Sequence, residues 1–187
     1  DIAGNEKEIK SLKKYLRMIS ESTRRLDDIL LGLVDTMAVK DSSPSATEID
    51  FKKLFHFIFK RLQFTEGFSR VKMTTRIGLK KSFFSDEKIL NSILQNTIEN
   101  AVKYQNYATN SPYLSISVNG TDTGVIIEIK DNGVGMDADV QSKAFEMFYR
   151  GTQESKGSGL GLHIVKTAVE KLGGRINLKS NKRIGTT

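Results

Sequence analysis

Along the first forty residues apolar side chains recur in alternating steps of three and four, at Ile9, Leu12, Leu16, Ile19, Leu26, Leu30, Leu33 and Met37, with Thr23 filling one step. This repeat is the seam of a helix made to pack in a bundle. Asn5 followed by Glu8 offers a capping box, which places the expected helix start near residue 5. Four heptads span about 45 Å at about 1.5 Å per residue, too long for a helix to stand with its apolar face in water. Folding back on its own domain is one way to cover that face. The strict repeat favours parallel or antiparallel helical partners.

After the polar stretch 41–46 the period changes. The segment Val125-Ile126-Ile127-Glu128-Ile129-Lys130-Asp131 alternates, so Val125, Ile127, Ile129 and Asp131 share one side of a strand. Further strands are expected at 47–49, 71–77, 81–85, 113–118 and 175–180, and helices at 51–63, 86–105 and 161–172. Residues 119–124, with Asn-Gly, read as a hairpin turn. The result is an α+β protein, a two-layer α/β sandwich of helices on a mixed sheet, preceded by a long bundle-forming helix.

The chemistry concentrates in three places. Asp131 ends its strand on the apolar face and is followed by Asn132-Gly133-Val134-Gly135. A buried carboxylate is costly unless a donor satisfies it, and an amine-bearing ring such as adenine would be one; a hairpin turn capped by an ordinary Asp is the alternative. On the helix around residues 91–104, Leu90, Ile93, Leu94, Thr97 and Ala101 form an apolar stripe, with Asn96, Asn100 and Lys103 beside it at i, i+4 and i+7. Two amides and an ammonium in a line can face one polyanion, the amide oxygen serving a magnesium ion and the ammonium a phosphate. Finally, Gly157-Ser158-Gly159-Leu160-Gly161-Leu162 opens a helix and presents backbone N–H groups to an anion.

These segments, with Phe145-Glu146-Met147-Phe148-Tyr149-Arg150 between the last two, resemble in order and spacing the ATP-binding domain of sensor histidine kinases, in the wider family that includes gyrase and MutL ATPases. The resemblance covers roughly residues 47–187 and implies a Bergerat-type fold binding ATP and Mg2+. Asp131 would accept from the adenine amine, with Gly133, Gly135 and Met136 shaping the base site and Tyr104 packing near the ring. Asn100 would hold Mg2+, and Asn96 and Lys103 would support the phosphates. The backbone from Gly157 through Ser158, Gly159, Leu160 and Gly161 to Leu162 would cradle them. Residues 136–156 would form a mobile lid hinged at Gly151 and Gly157, from which Arg150 and Lys156 reach the phosphates, and Asn100 and Arg150 would serve phosphoryl transfer. Gly185-Thr186-Thr187 resembles the last glycine box, which puts Thr186 in the site.

By the same resemblance residues 1–40 match the second helix of the dimerisation and histidine-phosphotransfer hairpin, residues 1–4 its turn, and 41–46 a linker. The implied partners are a second copy, through a four-helix bundle, and the receiver domain of a response regulator in a phosphorelay. The family's phosphoacceptor motif, His-Asp/Glu-Leu-Arg-x-Pro, does not occur in the sequence. His56, between Phe55 and Phe57, reads as a core-edge residue and His163 as structural. Hydrolysing relatives carry a glutamate four residues before the magnesium asparagine. Asn96 stands there and cannot take a proton, which favours transfer to an external nucleophile over hydrolysis. A hydrolysing ATPase and a catalytically inactive nucleotide-binding module are the alternatives. Glu99 reads as a solvated helix residue.

Composition changes this picture little. The chain has 187 residues, 38% of them hydrophobic, enough for one core with an appendage. It has no cysteine, which excludes disulfides and thiolate metal sites. Its net charge of +7 comes from Lys and Arg scattered among acids, with no basic stripe for nucleic acid. No apolar run reaches membrane-spanning length, so this piece is expected to be soluble and free of membrane contact. A cytoplasmic location is the expectation, either by itself or as the cytoplasmic part of a membrane-bound sensor.

Overall fold

The computed structural model describes residues 2–41, 43–151 and 157–187. Helix α1 (Ile2–Asp41) is followed by β1 (Thr47–Glu48), α2 (Phe51–Leu62), a 3-10 turn (Phe68–Arg70), β2 (Lys72–Gly78), β3 (Phe84–Ser85) and α3 (Glu87–Lys103). Then come β4 (Tyr113–Gly120), β5 (Val125–Asp131), α4 (Ala138–Lys143), α5 (Gly161–Lys171), β6 (Ser180–Asn181) and β7 (Gly185–Thr186). The central sheet runs β2-β4-β5, with β2 parallel and β5 antiparallel to β4. Short ladders join β1 to β3 and β6 to β7.

The core lies between one face of the sheet and two helices. Leu114, Ile116 and Val118 of β4 are buried there, with Val125, Ile127 and Ile129 of β5 packed beside them as the alternation predicts. Helix α2 contributes Phe51, Leu54, Phe55, Ile58 and Leu62, a stripe at helical spacing behind an Asp50 cap that accepts from Lys53 N at 3.1 Å. Helix α3 contributes Leu90, Leu94, Ile98 and Ala101. Its cap, Asp86, accepts from Ile89 N and from Ser45 N, each at 2.9 Å, so one carboxylate starts the helix and ties down the chain that leads into the domain. Helix α5 packs on α3 through Ala168 and Leu172 against Ile89 and Ile93.

Helix α1 departs from expectation at its start. Its backbone is helical from Ile2, so there is no turn at residues 2–4 and Asn5 lies inside the helix rather than capping it; Asp1 is outside the described residues. A capping pair acts only where the preceding backbone leaves the helix, and here it does not. Further along, Gly32 is buried: a Cβ there would sit 2.6 Å from Leu160 Cδ1. Ile29 and Leu33 are half-buried beside it. The helix thus folds back on its own domain through a face that takes in Leu33 of the seam, while Leu12, Leu16, Ile19, Leu26, Leu30 and Met37 stay more than half exposed.

The strand expected at 175–180 is present only as β6. Lys179 exchanges two 2.8 Å backbone bonds with Thr187, followed by the pairs Ser180↔Thr186 and Asn181↔Gly185. Residues 175–178 form no strand.

Candidate functional site

Asp131 sits where the alternation puts it, at the end of β5, paired with the buried Leu114 and itself half-buried. Its Oδ1 accepts from Gly133 N at 2.7 Å and from Thr186 N at 3.3 Å. Burial pushes its carboxyl above the usual carboxylate range, against the opposing pull of those two N–H groups. The residue therefore does cap its own turn, but with one oxygen; among the described residues Oδ2 has no partner.

The glycines that follow make room for the chain's own backbone. A Cβ on Gly133 would lie 2.5 Å from the Tyr104 carbonyl oxygen, which accepts from Val134 N at 2.9 Å. Gly135 has φ +63° and a Cβ there would fall on the Asn181 carbonyl; Gly185 has φ +129° and a Cβ there would fall on the Asp131 carbonyl. Arg183 N donates to Val134 O at 2.7 Å. The hairpin 180–186 is thus clasped on the turn after Asp131, with a glycine on each side of the seam. Thr186 and Met136 join through Ser180, whose Oγ lies 2.9 Å from Thr186 Oγ1 and accepts from Met136 N at 2.8 Å.

Across the site, the amides of Asn96 and Asn100 converge on Gly161. A Cβ there would lie 3.2 Å from Asn96 Oδ1 and 3.6 Å from Asn100 Nδ2. Asn96 spends its Nδ2 on Ser92 O at 2.9 Å, which leaves its oxygen toward the glycine box. Gly161 is the first residue of α5, and no side chain caps that helix. Its first-turn N–H groups and the positive end of its dipole meet the two amides. Gly157 and Gly159 hold φ +120° and +77°, and Ser158 Oγ accepts from Leu160 N at 3.4 Å. Leu160 itself is fully buried under Gly32 and is part of the packing. Gly161 and Leu162 are half-buried.

A profile described as "Histidine kinase-, DNA gyrase B-, and HSP90-like ATPase" matches residues 85–187. The chain belongs to that family. The heme sensor protein HssS of Staphylococcus saprophyticus is 29% identical over 184 residues, 98% of this chain and 38% of that protein. The sensor histidine kinase YvrG of Bacillus subtilis is 33% identical over 131 residues, 68% of this chain and 22% of that one. Full-length ShkA in complex with AMPPNP superposes with a TM-score of 0.72 at 21% identity, over 93% of this chain and 37% of that one. This histidine kinase-like ATPase chain carries the ATP-binding catalytic part of a sensor histidine kinase. It spans well under half the length of the curated relatives it matches.

In this ATPase-family domain the remaining expected residues are less uniform. Lys103 is paired with Glu99 at 2.7 Å, so Glu99 is an ion-pair partner and not merely solvated. Tyr104 ends α3 and is 38% exposed. Arg150 is half-buried at the edge of the described segment, and Lys156 lies outside the described residues. The first part of the expected lid is built: α4 is capped by Asp137, which also pairs with Lys182 at 3.3 Å, and Gln141 Oε1 accepts from Ser180 N at 2.7 Å. Gly151 packs on Val140, where a Cβ would lie 2.8 Å from Cγ1, whereas Gly157 has open space and a φ that only glycine adopts readily. Phe145 is half-buried and its carbonyl oxygen lies 3.2 Å from His163 Nδ1, while Phe148 is exposed at φ +64°. Sequence reasoning missed Ser180, Gln141 and Asn181. A lone Ser at a strand end carries no motif signal. No helix among the described residues is long and apolar enough to cross a membrane.

Proposed function

We propose that this chain binds Mg2+-ATP and delivers the γ-phosphoryl group to a histidine on a helical hairpin outside residues 1–187, for relay to an aspartate of a response-regulator receiver domain. The observation that carries this reading is the convergence of the Asn96 and Asn100 amides on the uncapped start of α5. That arrangement offers hard oxygen donors for a magnesium ion beside backbone N–H groups for phosphate oxygens, an electrostatic site formed before the substrate arrives.

Each residue has a role there. Asn100 holds the metal, and Asn96 turns its carbonyl oxygen to the same place. The backbone from Gly157 to Leu162 donates to phosphate, with Arg150 and Lys156 adding positive charge from the lid. Lys103 joins them by leaving Glu99, an exchange between two partly exposed partners that costs little. Asp131 receives the base amine on Oδ2, and Gly133 and Gly135 fix the turn that presents it beside Tyr104, Met136 and Thr186. ATP brings the group to be transferred, and the metal offsets the charge of its phosphates. The chain's own residues orient and neutralise. Water activation is poorly served, because Asn96 is no base and Glu99 is held by Lys103. The exposed seam of α1 is the surface for a second copy.

The chain should bind Mg2+-ATP yet incorporate no phosphate by itself. His163 has Nδ1 on the Phe145 carbonyl and Nε2 buried, and His56 lies exposed on α2. Mixed with Mg2+, labelled ATP and the acceptor hairpin of its parent protein, it should place acid-labile, base-stable phosphate on that hairpin. Labelling of His56 or His163, or steady release of phosphate to water that Asn96→Ala leaves untouched, would overturn the reading.

A further inference from the structure

Ser180 belongs to none of the motifs above, yet it ties together Met136, Gln141, Gly185 and Thr186. Its hydroxyl reaches Gly185 O at 3.1 Å and Thr186 Oγ1 at 2.9 Å, and accepts from Met136 N at 2.8 Å. Its backbone N–H donates to Gln141 Oε1 at 2.7 Å, so α4 is held to the same point.

A serine hydroxyl has one proton and two acceptor sites. The Gly185 carbonyl can only accept, so it takes that proton. Met136 N–H fills one acceptor site, and the other is left for the hydroxyl of Thr186, which must then donate. The consequence falls on Thr186: with its own proton committed to Ser180, its Oγ1 can offer any ligand only lone pairs. Thr186 is also the residue whose N–H pins Asp131 Oδ1. While Asp131 is ionised, its open oxygen and the hydroxyl of Thr186, the residue joined to it by that N–H, both act as acceptors.

We propose that Ser180 is a positioning residue for nucleotide-base selection: by fixing the proton of Thr186 and the seat of the hairpin 180–186, it makes this end of the site acceptor-only and so selects a base with an exocyclic amine over one with a carbonyl at the same position. This rests on the proposal that Asp131 receives the adenine amine. Guanine, with a carbonyl oxygen there, would set an acceptor against acceptors. Without Ser180 Oγ the Thr186 hydroxyl is free to turn its proton to the ligand, and Asp131 loses the fixed N–H that orients it.

The test is the ratio of ATP to GTP affinity, measured by calorimetry with Mg2+ on the intact chain and on Ser180→Ala, Ser180→Cys and Ser180→Thr. Wild type should prefer ATP. Ser180→Ala should lower that preference by about tenfold, the scale of one lost buried hydrogen bond, by weakening ATP and relatively sparing GTP. Ser180→Thr, which keeps the hydroxyl, should retain it. Ser180→Cys keeps the shape with a somewhat larger and more weakly bonding atom, so it should fall between; it also supplies the reading if Ser180→Ala does not fold. A variant that weakens ATP and GTP equally would show a hydroxyl that only stabilises the hairpin, and the inference fails. A wild type with no preference for ATP would instead remove the Asp131 assignment beneath it.

Discussion

Replacing Asp131 by asparagine separates the acceptor role of this side chain from its size. In the folded chain Oδ1 serves two N–H donors, Gly133 at 2.7 Å and Thr186 at 3.3 Å. An asparagine keeps its single oxygen on those donors, because turning the amide over would leave both unsatisfied. Its Nδ2 then replaces Oδ2, the position proposed for the base amine. Two donors face each other where a donor met an acceptor. At about 1–3 kcal/mol for an unsatisfied buried group, and about 1.4 kcal/mol per decade, ATP should bind about 5- to 150-fold more weakly. GTP, with a carbonyl at that position, should lose nothing or gain.

The pH dependence adds a second readout with a definite sign. Burial raises the Asp131 pKa, and with Oδ1 engaged the proton enters on Oδ2, where it blocks the amine. Wild-type ATP affinity should therefore fall as pH drops through that raised value, starting above the ordinary carboxylate range. Stability should move the other way in the same window. The folded state binds the proton more tightly than the unfolded one, so acidification relieves the cost of an ionised buried carboxylate. Asp131→Asn should abolish both trends. The nucleotide phosphates titrate identically in the two proteins, so the difference between their pH profiles isolates Asp131. Calorimetric titrations showing equal ATP affinity, or the same acid dependence with and without the carboxylate, would refute the assignment.

Asn100→Ala should weaken magnesium-dependent ATP binding and nearly abolish transfer, measured with the acceptor hairpin supplied. Glu99→Gln should keep most transfer, because its ion pair with Lys103 is an i,i+4 contact expected to contribute only about 0.3–0.5 kcal/mol; equal loss in both variants would mean the roles on α3 are misassigned. Asp86→Ala should destabilise the domain by about 0.5–2 kcal/mol in denaturant titrations, the usual cost of a lost cap. Burial opposes the ionisation of Asp86, but the N–H groups of Ser45 and Ile89 outweigh it and hold its pKa below the ordinary value. Its contribution should therefore be present above that ordinary value, be lost as pH falls through the lowered one, and be missing from the variant. Leu26→Asp, at an exposed seam position of α1, should reduce self-association in sedimentation without changing ATP affinity; unchanged association would place the dimer surface elsewhere.

How legible the molecule was from its sequence depended on the range over which each decision was made. The alternation at 125–131 placed Asp131 correctly because strand periodicity is local, and burial of Ile127 and Ile129 fixes which face the carboxylate takes. The spacing of Asn96 and Asn100 put them on one helix face for the same reason, and only the fold could show that the face meets Gly161. The start of α1 was misplaced by a capping pair that the helix runs through. The strict repeat favours helical partners and gives no sign that the second half also packs on its own domain, where Gly32, unremarkable in a seam, allows contact with Leu160.

Gly133 and Gly135 show most clearly how a motif can be visible in a sequence while its physical reason is not. The resemblance implies that they shape the base site, without saying what occupies the space beside them. In the folded chain the space is taken by the carbonyls of Tyr104 and Asn181, from segments before and after the turn. The glycines thus let two pieces of backbone close on the turn, and that closure brings Thr186 N to Asp131 Oδ1, while Oδ2 has no partner among the described residues. Ser180 joins the same closure from a segment with no motif. A site assembled in this way shows in the sequence only at the residues whose backbone geometry is unusual, the glycines. The side chains that fix its polarity have ordinary backbone and ordinary composition, and become visible only when the hydrogen bonds are followed proton by proton.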